Sequence, residues 1–328
     1  MFQADCTDAK AKWRTVFHTA ECYSIVGNYE QAERMYRQAV QLSENMDYQA
    51  MENWSGHKFG KKLLGNRLIN KVLGGKHMGK MMWGKHVGKT LGREHPDTLN
   101  SMNNLALVLN KQGKYLEADQ MHQETSKLRE AVLGREHPDT LISMNNLANV
   151  LDSQGRYLEA EQMHQETLKL KEAVLGREHP DTLISMNNLA NVLDSQGRYL
   201  EAEQMHQETL KLKEIVLGYE HPSTLNSVNA LAVVIGHQKR HEESEKRQRR
   251  ALEGYQRVLG KDHPRTLESM VNLAVALQDQ GKYAEAEEMY RQALKLLEKR
   301  LGDEHPSTKK CRDNLAECLS EGEASKRR

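Results

Sequence analysis

The sequence is short of aromatic residues and of long apolar runs. Its 328 residues include three Phe and three Trp against 15 Met, so the core must be built from Leu, Ala, Met and Val. The apolar runs extend over a few residues, far below the ~20 that cross a bilayer. The N-terminus carries Asp5, Asp8 and Lys10 before any apolar stretch. The sequence therefore predicts neither a transmembrane segment nor a signal peptide. We accordingly expect a cytoplasmic location.

Paired cysteines and catalytic constellations are also missing. The four cysteines are Cys6, Cys22, Cys311 and Cys318, and they show no CxxC spacing, so we expect reduced thiols. The Ser, His and acidic residues recur in each repeat, and none differs from its copies in a way that would mark it as part of a catalytic site. We therefore predict that the chain is not an enzyme and has no catalytic residues, no metal, no cofactor and no small-molecule substrate.

Acidic residues are absent from one stretch of the chain. Residues 53–93 contain ten Lys or Arg and no Asp or Glu, although the whole chain carries a net charge of only +1. The remaining residues, 37 basic against 46 acidic, therefore carry −9. Three interpretations stay open for this stretch: a repeat that is eroded or scrambled by a reading-frame or gene-model error, a basic insert that attracts nucleic acid or acidic lipid, and a phosphate loop. The run GGKHMGK at 74–80 has phosphate-loop spacing, but Met81 follows where Ser or Thr would hold Mg²⁺.

A 42-residue repeat dominates the rest. The dipeptide His-Pro recurs every 42 residues, at His95, His137, His179, His221, His263 and His305. Segments 134–175 and 176–217 differ at one position, Ala173 against Ile215. Near-identity over a full period is typical of repeat architectures, in which each unit buries its apolar face against its neighbours.

One unit, 92–133, is predicted to be a helix hairpin. Apolar residues recur at helical spacing after Pro96, whose fixed φ suits a first helical turn. Gly113 ends this pattern, and a second amphipathic stretch runs from Tyr115 to Gly134. One such hairpin cannot bury both of its apolar stripes, so the units are expected to stack.

These residues resemble the tetratricopeptide signature. The resemblance is carried by Asn104-Leu105-Ala106, by Gly113-Lys114-Tyr115 and by Glu117-Ala118. The phrase LGREHPDT between units is similar to the 42-residue repeats of kinesin light chains and of the repeat tails of fungal nucleotide-binding immune-type receptors. The resemblance implies an all-α fold, a right-handed α-solenoid of antiparallel helix hairpins known as the tetratricopeptide superhelix.

Four segments follow from this interpretation. Residues 1–47 are predicted to form an N-terminal tetratricopeptide-like hairpin, and 48–91 a degenerate or inserted segment rich in Gly and Lys. Residues 92–301 form five repeats of 42 residues. Residues 302–328 form a capping helix with a basic tail, since a polar final helix closes a solenoid.

Asparagines form a ladder on the first helices. Asn is a poor helix former, and its amide suits the backbone of an extended peptide. In tetratricopeptide arrays the first helices line the concave groove, so the resemblance implies partner contacts there. An alternative stays open, in which these residues tie adjacent helices together. The predicted partner-binding residues are Asn103, Asn145, Asn187, Asn229, Asn149, Asn191, Lys111, Asp152 and Asp194.

Two columns of histidine are assigned structural roles. One His-Pro per unit is too widely spaced to share a metal ion, so a turn-stabilising role is favoured. His122, His164 and His206 occupy a position that holds Tyr36, Gln248 and Tyr290 in other hairpins. A position that accepts all three residue types is predicted to be a packing position.

The sequence therefore predicts a protein-interaction scaffold that binds a peptide or protein in its groove. A kinesin light chain-like cargo adaptor ranks second, because residues 1–26 are too short for a motor-joining coiled coil and Asp152 and Asp194 would make the groove acidic. A second alternative is nucleic-acid or acidic-membrane association through residues 53–93.

Overall fold

The computed structural model describes residues 2–25, 27–44 and 93–327, with side chains from residue 11 onward. The three interpretations of the basic stretch, including the phosphate loop, concern residues that lie almost entirely outside these ranges. Contacts divide the chain into an N-terminal unit, Met1–Ser143, and a C-terminal unit, Met144–Arg328.

The described residues form helices and no strands. In chain order these are α1 (Phe2–Ile25), α2 (Tyr29–Glu44), α3 (Pro96–Lys111), α4 (Tyr115–Leu133), α5 (Pro138–Ser153), α6 (Tyr157–Leu175), α7 (Pro180–Ser195), α8 (Tyr199–Leu217), α9 (Pro222–His237), α10 (His241–Leu259), α11 (Pro264–Gln278), α12 (Tyr283–Leu301) and α13 (Pro306–Lys326). Within each unit, helices that follow one another along the chain pack side by side. This confirms the predicted all-α solenoid fold. None of the helices in the described ranges combines the length and the hydropathy needed to cross a bilayer.

His-Pro begins the first helix of each 42-residue unit. The proline takes the first helical position, where a missing N–H costs nothing. The preceding histidine caps the helix, because its Nδ1 accepts a hydrogen bond from the backbone N–H two residues later. For His179 and Asp181 this distance is 3.2 Å, and for His221 and Ser223 it is 3.1 Å. The expected turn-stabilising role of these histidines is confirmed.

A residue with positive φ ends the first helix of each unit. Gly155 and Gly197 have φ of 76° and 77° there, a conformation that glycine adopts without strain. In the fourth repeat, residues 218–259, Lys239 takes this place with φ of 64°, and it is the one non-glycine residue with positive φ in the described ranges. The helix therefore ends in the same way, at a conformational cost of about 1–2 kcal/mol for a residue with a Cβ.

The same ion pair links successive hairpins. A basic residue just before one second helix contacts a glutamate in the preceding second helix. The distances are 2.8 Å for Arg198 and Glu161, 2.8 Å for Arg240 and Glu203, and 2.7 Å for Lys282 and Glu245. A glutamine two residues earlier, such as Gln196, donates to the same glutamate at 2.8 Å. The repeats of the C-terminal unit are thus joined by one recurring contact.

The hairpin α1–α2 occupies the place of a repeat in the N-terminal unit. The helix α2 packs against α3, and Lys114 contacts Glu33 at 2.7 Å, which is the ion pair found between later repeats. Trp13 adds a hydrogen bond of 3.2 Å from its Nε1 to Ser101 Oγ. The first hairpin and the repeat that starts near residue 93 are therefore neighbours in the stack.

Candidate partner-binding face

The asparagine ladder joins neighbouring repeats. Asn145 and Asn187 are 7% and 5% exposed. The Oδ1 of Asn145 accepts a hydrogen bond of 3.1 Å from Asn188 Nδ2 in the next repeat. The Oδ1 of Asn187 accepts one of 3.2 Å from Ser227 Oγ, again one repeat on. The buried amide oxygens therefore act within the stack, and contact of these residues with a partner stays a prediction.

Two further members of the ladder differ in their surroundings. Asn229 is half-buried, and its Oδ1 accepts a hydrogen bond of 3.2 Å from Asn272 Nδ2. In the N-terminal unit Asn103 is 7% exposed and lies 3.4 Å from the neighbouring Asn104 Oδ1. The ladder thus extends through the fifth repeat, with side chains that are less buried at its end.

A buried cation lies beneath the ladder. Lys213 is 2% exposed, and its Nζ donates to Ser227 Oγ at 2.9 Å and to the Ser223 carbonyl oxygen at 3.3 Å. Since Ser227 donates in turn to Asn187, the three side chains form a chain of hydrogen bonds. Burial, and next the charge of Arg265, lower the pKa of Lys213 to about 8. Lys171 makes the equivalent contact with Ser185 Oγ at 2.9 Å.

The N-terminal unit has arginine at the same position. Arg129 donates to Ser143 Oγ at 2.8 Å and to Asn100 Oδ1 at 2.6 Å, and burial lowers its pKa. Sequence reasoning missed this column of buried cations, because charged side chains are seldom buried. The signal was present, since Lys171 lies four residues after Thr167 and seven after His164, on the stripe that is buried.

The predicted acidic residues lie at the ends of the first helices. Asp194 Oδ1 is 2.8 Å from Nδ1 of His237 in the next repeat, and this contact raises the pKa of His237. Asp152 is half-buried, and its Oδ1 is buried and receives no hydrogen bond. Burial is the largest cause that raises the pKa of Asp152, and the charge of Asp194 adds to it. The two carboxylates therefore share one face of the C-terminal unit.

Three of the predicted residues are more open to solvent. Asn149 is half-buried and Asn191 is exposed, and both lie on the same stripe as Asp152 and Asp194. We call Asn149, Asp152, Asn191 and Asp194, together with His237, the first-helix face of the C-terminal unit. In the N-terminal unit Lys111 is exposed at the end of α3. These side chains are more open to solvent than the buried ladder, and their contact with a partner stays a prediction.

The second histidine column is fully buried. His122, His164 and His206 are 0% exposed, and neither ring nitrogen of any of them has a hydrogen-bond partner. Burial is the largest cause that lowers each of their pKa values to about 4. Uncharged rings in a closed environment fit the predicted packing role.

The basic helix of the fourth repeat, α10, is neutralised by its neighbours. Arg250 contacts Glu214 at 2.6 Å, and Arg249 contacts Glu245 at 2.7 Å. Arg247 contacts Glu243 at 3.0 Å. These pairs leave α10 without the accumulated positive charge that a nucleic-acid surface requires.

Comparison of the sequence with protein-family models identifies one family. The tetratricopeptide repeat model matches residues 97–173, 153–215, 220–299 and 271–326. A second tetratricopeptide repeat model matches residues 15–46, within the first hairpin. No curated protein matches the sequence.

Three solved structures are similar. A kinesin light chain-type protein of Podosopora anserina with nearly identical TPR-like repeats is 27% identical with a TM-score of 0.50, and the match covers 62% of this chain and 97% of that one. BtubC (BKLC) from P. vanneervenii is 20% identical with a TM-score of 0.50, over 61% and 79% of the two chains. A Rap protein complexed with competence and sporulation factor is 13% identical with a TM-score of 0.56, over 97% and 90%. The last two show likeness of fold alone. With its 42-residue hairpins, the chain therefore belongs to the tetratricopeptide repeat family and has repeats of the kinesin light chain-like type.

Proposed function

We propose that the chain is a non-catalytic scaffold that binds an extended peptide or protein segment along the first-helix face. The observation that carries the proposal is the register of this face. Asn149 and Asn191 present equivalent amides one repeat apart, and Asp152 and Asp194 present equivalent carboxylates beside them. Amides and carboxylates repeated at a regular spacing suit the regularly spaced N–H groups of an extended backbone.

The buried ladder is proposed to support this face. Asn145, Asn187 and Asn229 tie each first helix to the next, and Asn103 holds the same position in the N-terminal unit. Such ties keep the exposed side chains at a fixed spacing, which lowers the entropic cost of binding an extended segment. Lys111 extends the set of partner residues in the N-terminal unit.

The test compares affinity capture by three forms of the full chain. The first is the unchanged protein and the second carries Asn149→Ala and Asn191→Ala. The third carries Gln162→Ala and Gln204→Ala, which remove equivalent exposed amides from the second helices of the same repeats. Partners that bind the unchanged and control forms but not the second form would support the proposal. Partners that bind all three forms equally would refute it.

Two other functions make different predictions. The kinesin light chain-like similarity favours cargo binding as the second candidate, but carboxylates on the first-helix face would repel an acidic cargo segment. Nucleic-acid or acidic-membrane association through residues 53–93 would be lost on deletion of that stretch and weakened by salt. Binding to the first-helix face would survive that deletion.

A further inference from the structure

Buried cations lie beneath the first turns of two first helices in the C-terminal unit. Lys171 and Lys213 are 4% and 2% exposed. Each ammonium donates to a serine hydroxyl and to the backbone carbonyl oxygen of the residue after the next proline. That residue is Asp181 for Lys171, at 3.2 Å, and Ser223 for Lys213, at 3.3 Å. The two sites are therefore built alike, except for the side chain that follows the proline.

This side chain decides whether the buried cation has a counter-charge. Burial lowers the pKa of Lys171, and the negative charge of Asp181 opposes that shift. Ser223 replaces the aspartate above Lys213, where burial and next the positive charge of Arg265 both lower the pKa. A charge is costly to bury without an opposite charge nearby. Lys213 therefore lacks a group that its equivalent one repeat earlier possesses.

A second cation lies at the same place. Arg265 takes the position of Asp181 in the fifth repeat, and its exposed side chain lies beside the hydroxyl of the buried Tyr255. That hydroxyl donates a hydrogen bond of 3.4 Å to the carbonyl oxygen of Pro222, the residue before Ser223. The guanidinium and the buried ammonium therefore both lie at the first turn of α9.

The acidic residues around this turn do not neutralise the two cations. Glu214 and Glu220 pair with arginines of α10 at 2.6 and 3.0 Å. Glu268 is exposed one turn further along α11. Among the residues that the structure describes, no carboxylate oxygen lies within 4.0 Å of the Lys213 ammonium or the Arg265 guanidinium. The first turn of α9 thus has two positive charges and no anion.

A phosphate group matches this pair of cations in charge and in geometry. A phosphate monoester carries about −1.5 to −2 at neutral pH, whereas a carboxylate carries a single charge. Arginine pairs with phosphate oxygens through two parallel hydrogen bonds. Ser223 is half-buried, and its side chain ends one bond short of the place that the carboxylate oxygens take in Asp181. Its hydroxyl can donate to an anion held there.

We propose that the first turn of α9, with Ser223, Lys213 and Arg265, binds a phosphate group that does not belong to this chain. The phosphate takes the place that the Asp181 carboxylate holds one repeat earlier. Arg265 provides the contact at the surface, and Lys213 provides the charge beneath it. This site lies at the start of the first helices, whereas the first-helix face lies toward their ends, so the inference goes beyond the proposed function.

The binding test titrates the full chain with inorganic phosphate near neutral pH and follows the width of the ³¹P NMR line. Sodium chloride keeps the ionic strength constant. We expect saturable binding with a Kd of about 1 mM. Ser223→Asp, which places a carboxylate in the site, and Arg265→Gln should each weaken binding at least about tenfold. No saturable broadening up to about 20 mM phosphate would overturn the proposal.

Two matched variants show whether a loss of binding belongs to this site. Ser307→Asp makes the same change after the proline of α13, where a histidine caps the helix in the same way. There the buried Leu297 takes the position of Lys213. Arg291→Gln removes an exposed guanidinium from α12. Both controls should bind phosphate as tightly as the unchanged chain, and losses equal to those of the site variants would refute the assignment.

A stability measurement tests the missing counter-charge separately. In chloride without phosphate, Ser223→Asp should raise the urea midpoint of unfolding more than Ser307→Asp does. The reason is that only the first change gives a buried ammonium an opposite charge. Circular dichroism confirms that both variants fold. Equal shifts of the two midpoints would show that Lys213 needs no anion, and the proposal would fall.

A blocked peptide with phosphoserine between alanines distinguishes the source of the phosphate. If this peptide binds at least as tightly as inorganic phosphate, a partner segment supplies the group, and weaker binding of the peptide indicates a free anion. Equal binding of the peptide and its unphosphorylated form would contradict a phosphate site for a partner segment. The variants leave Asn149 and Asn191 unchanged, so their failure would not touch the proposed scaffold function.

Discussion

Acid should destabilise this protein through its buried histidines. His164 and His206 lie in the C-terminal unit, are fully buried, and have pKa values lowered to about 4. In the unfolded chain their pKa values return to the ordinary 6.5. Between pH 4 and 6.5 the unfolded state therefore binds more protons than the folded state, so the free energy of unfolding falls as the pH falls.

The magnitude follows from the two pKa values. One proton bound by the unfolded state alone contributes a slope of about 1.4 kcal/mol per pH unit. Across the window of 2.5 pH units this amounts to about 3.5 kcal/mol for each histidine, or about 7 kcal/mol for the pair. A typical domain has 5–15 kcal/mol in total, so unfolding of the C-terminal unit near pH 4–5 is expected.

Urea unfolding followed by circular dichroism between pH 7 and 4 measures this slope. The matched variant carries His164→Gln and His206→Gln, because Gln248 shows that the same position accommodates a glutamine. Carboxylates titrate in both proteins, so the difference between their slopes isolates the histidines. We expect the variant to be less sensitive to pH below 6.5, and equal slopes in the two proteins would refute the reasoning.

Two further predictions concern lysines of the C-terminal unit. Lys213→Met should abolish a rise of about 3 kcal/mol in the free energy of unfolding between pH 8 and 10.5. The rise is expected because, in this range, the unfolded chain still protonates this lysine and the folded protein does not. Chemical denaturation at pH 7.5 and 10 compares the two proteins, and an equal rise in both would contradict the assignment. Lys239→Gly should raise the free energy of unfolding by about 1 kcal/mol, because glycine adopts the positive φ of 64° without strain. A urea midpoint that is unchanged or lower in this variant would contradict that account.

The regular part of the fold could be predicted from the sequence because its signals are local. Pro96 and Gly113 mark the ends of one helix, and α3 runs from Pro96 to Lys111. The second helix was expected from Tyr115 to Gly134, and α4 runs from Tyr115 to Leu133. Capping and turn residues act on their own backbone, so a single sequence suffices to find them.

The contacts between repeats could not be predicted in the same way. The sequence analysis did not single out Lys171 and Lys213, because charged residues are seldom buried. Their burial depends on contacts with Ser185 and Ser227 in the next repeat. The asparagines were correctly singled out as unusual, but the choice between partner contact and repeat contact needs the position of the neighbouring helix. The two cations at the first turn of α9 are invisible in one repeat, because Lys213 and Arg265 belong to the third and the fifth repeat.

The recurring ion pair has a genetic consequence. Glu161 pairs with Arg198, and Glu203 pairs with Arg240 in the same geometry. Removal of residues 176–217 would place Glu161 before Arg240 at the same separation along the chain, and the junction would rebuild an existing interface. Unequal recombination between the nearly identical coding segments can therefore shorten or lengthen the array by whole repeats while the ion pair between neighbouring hairpins is kept.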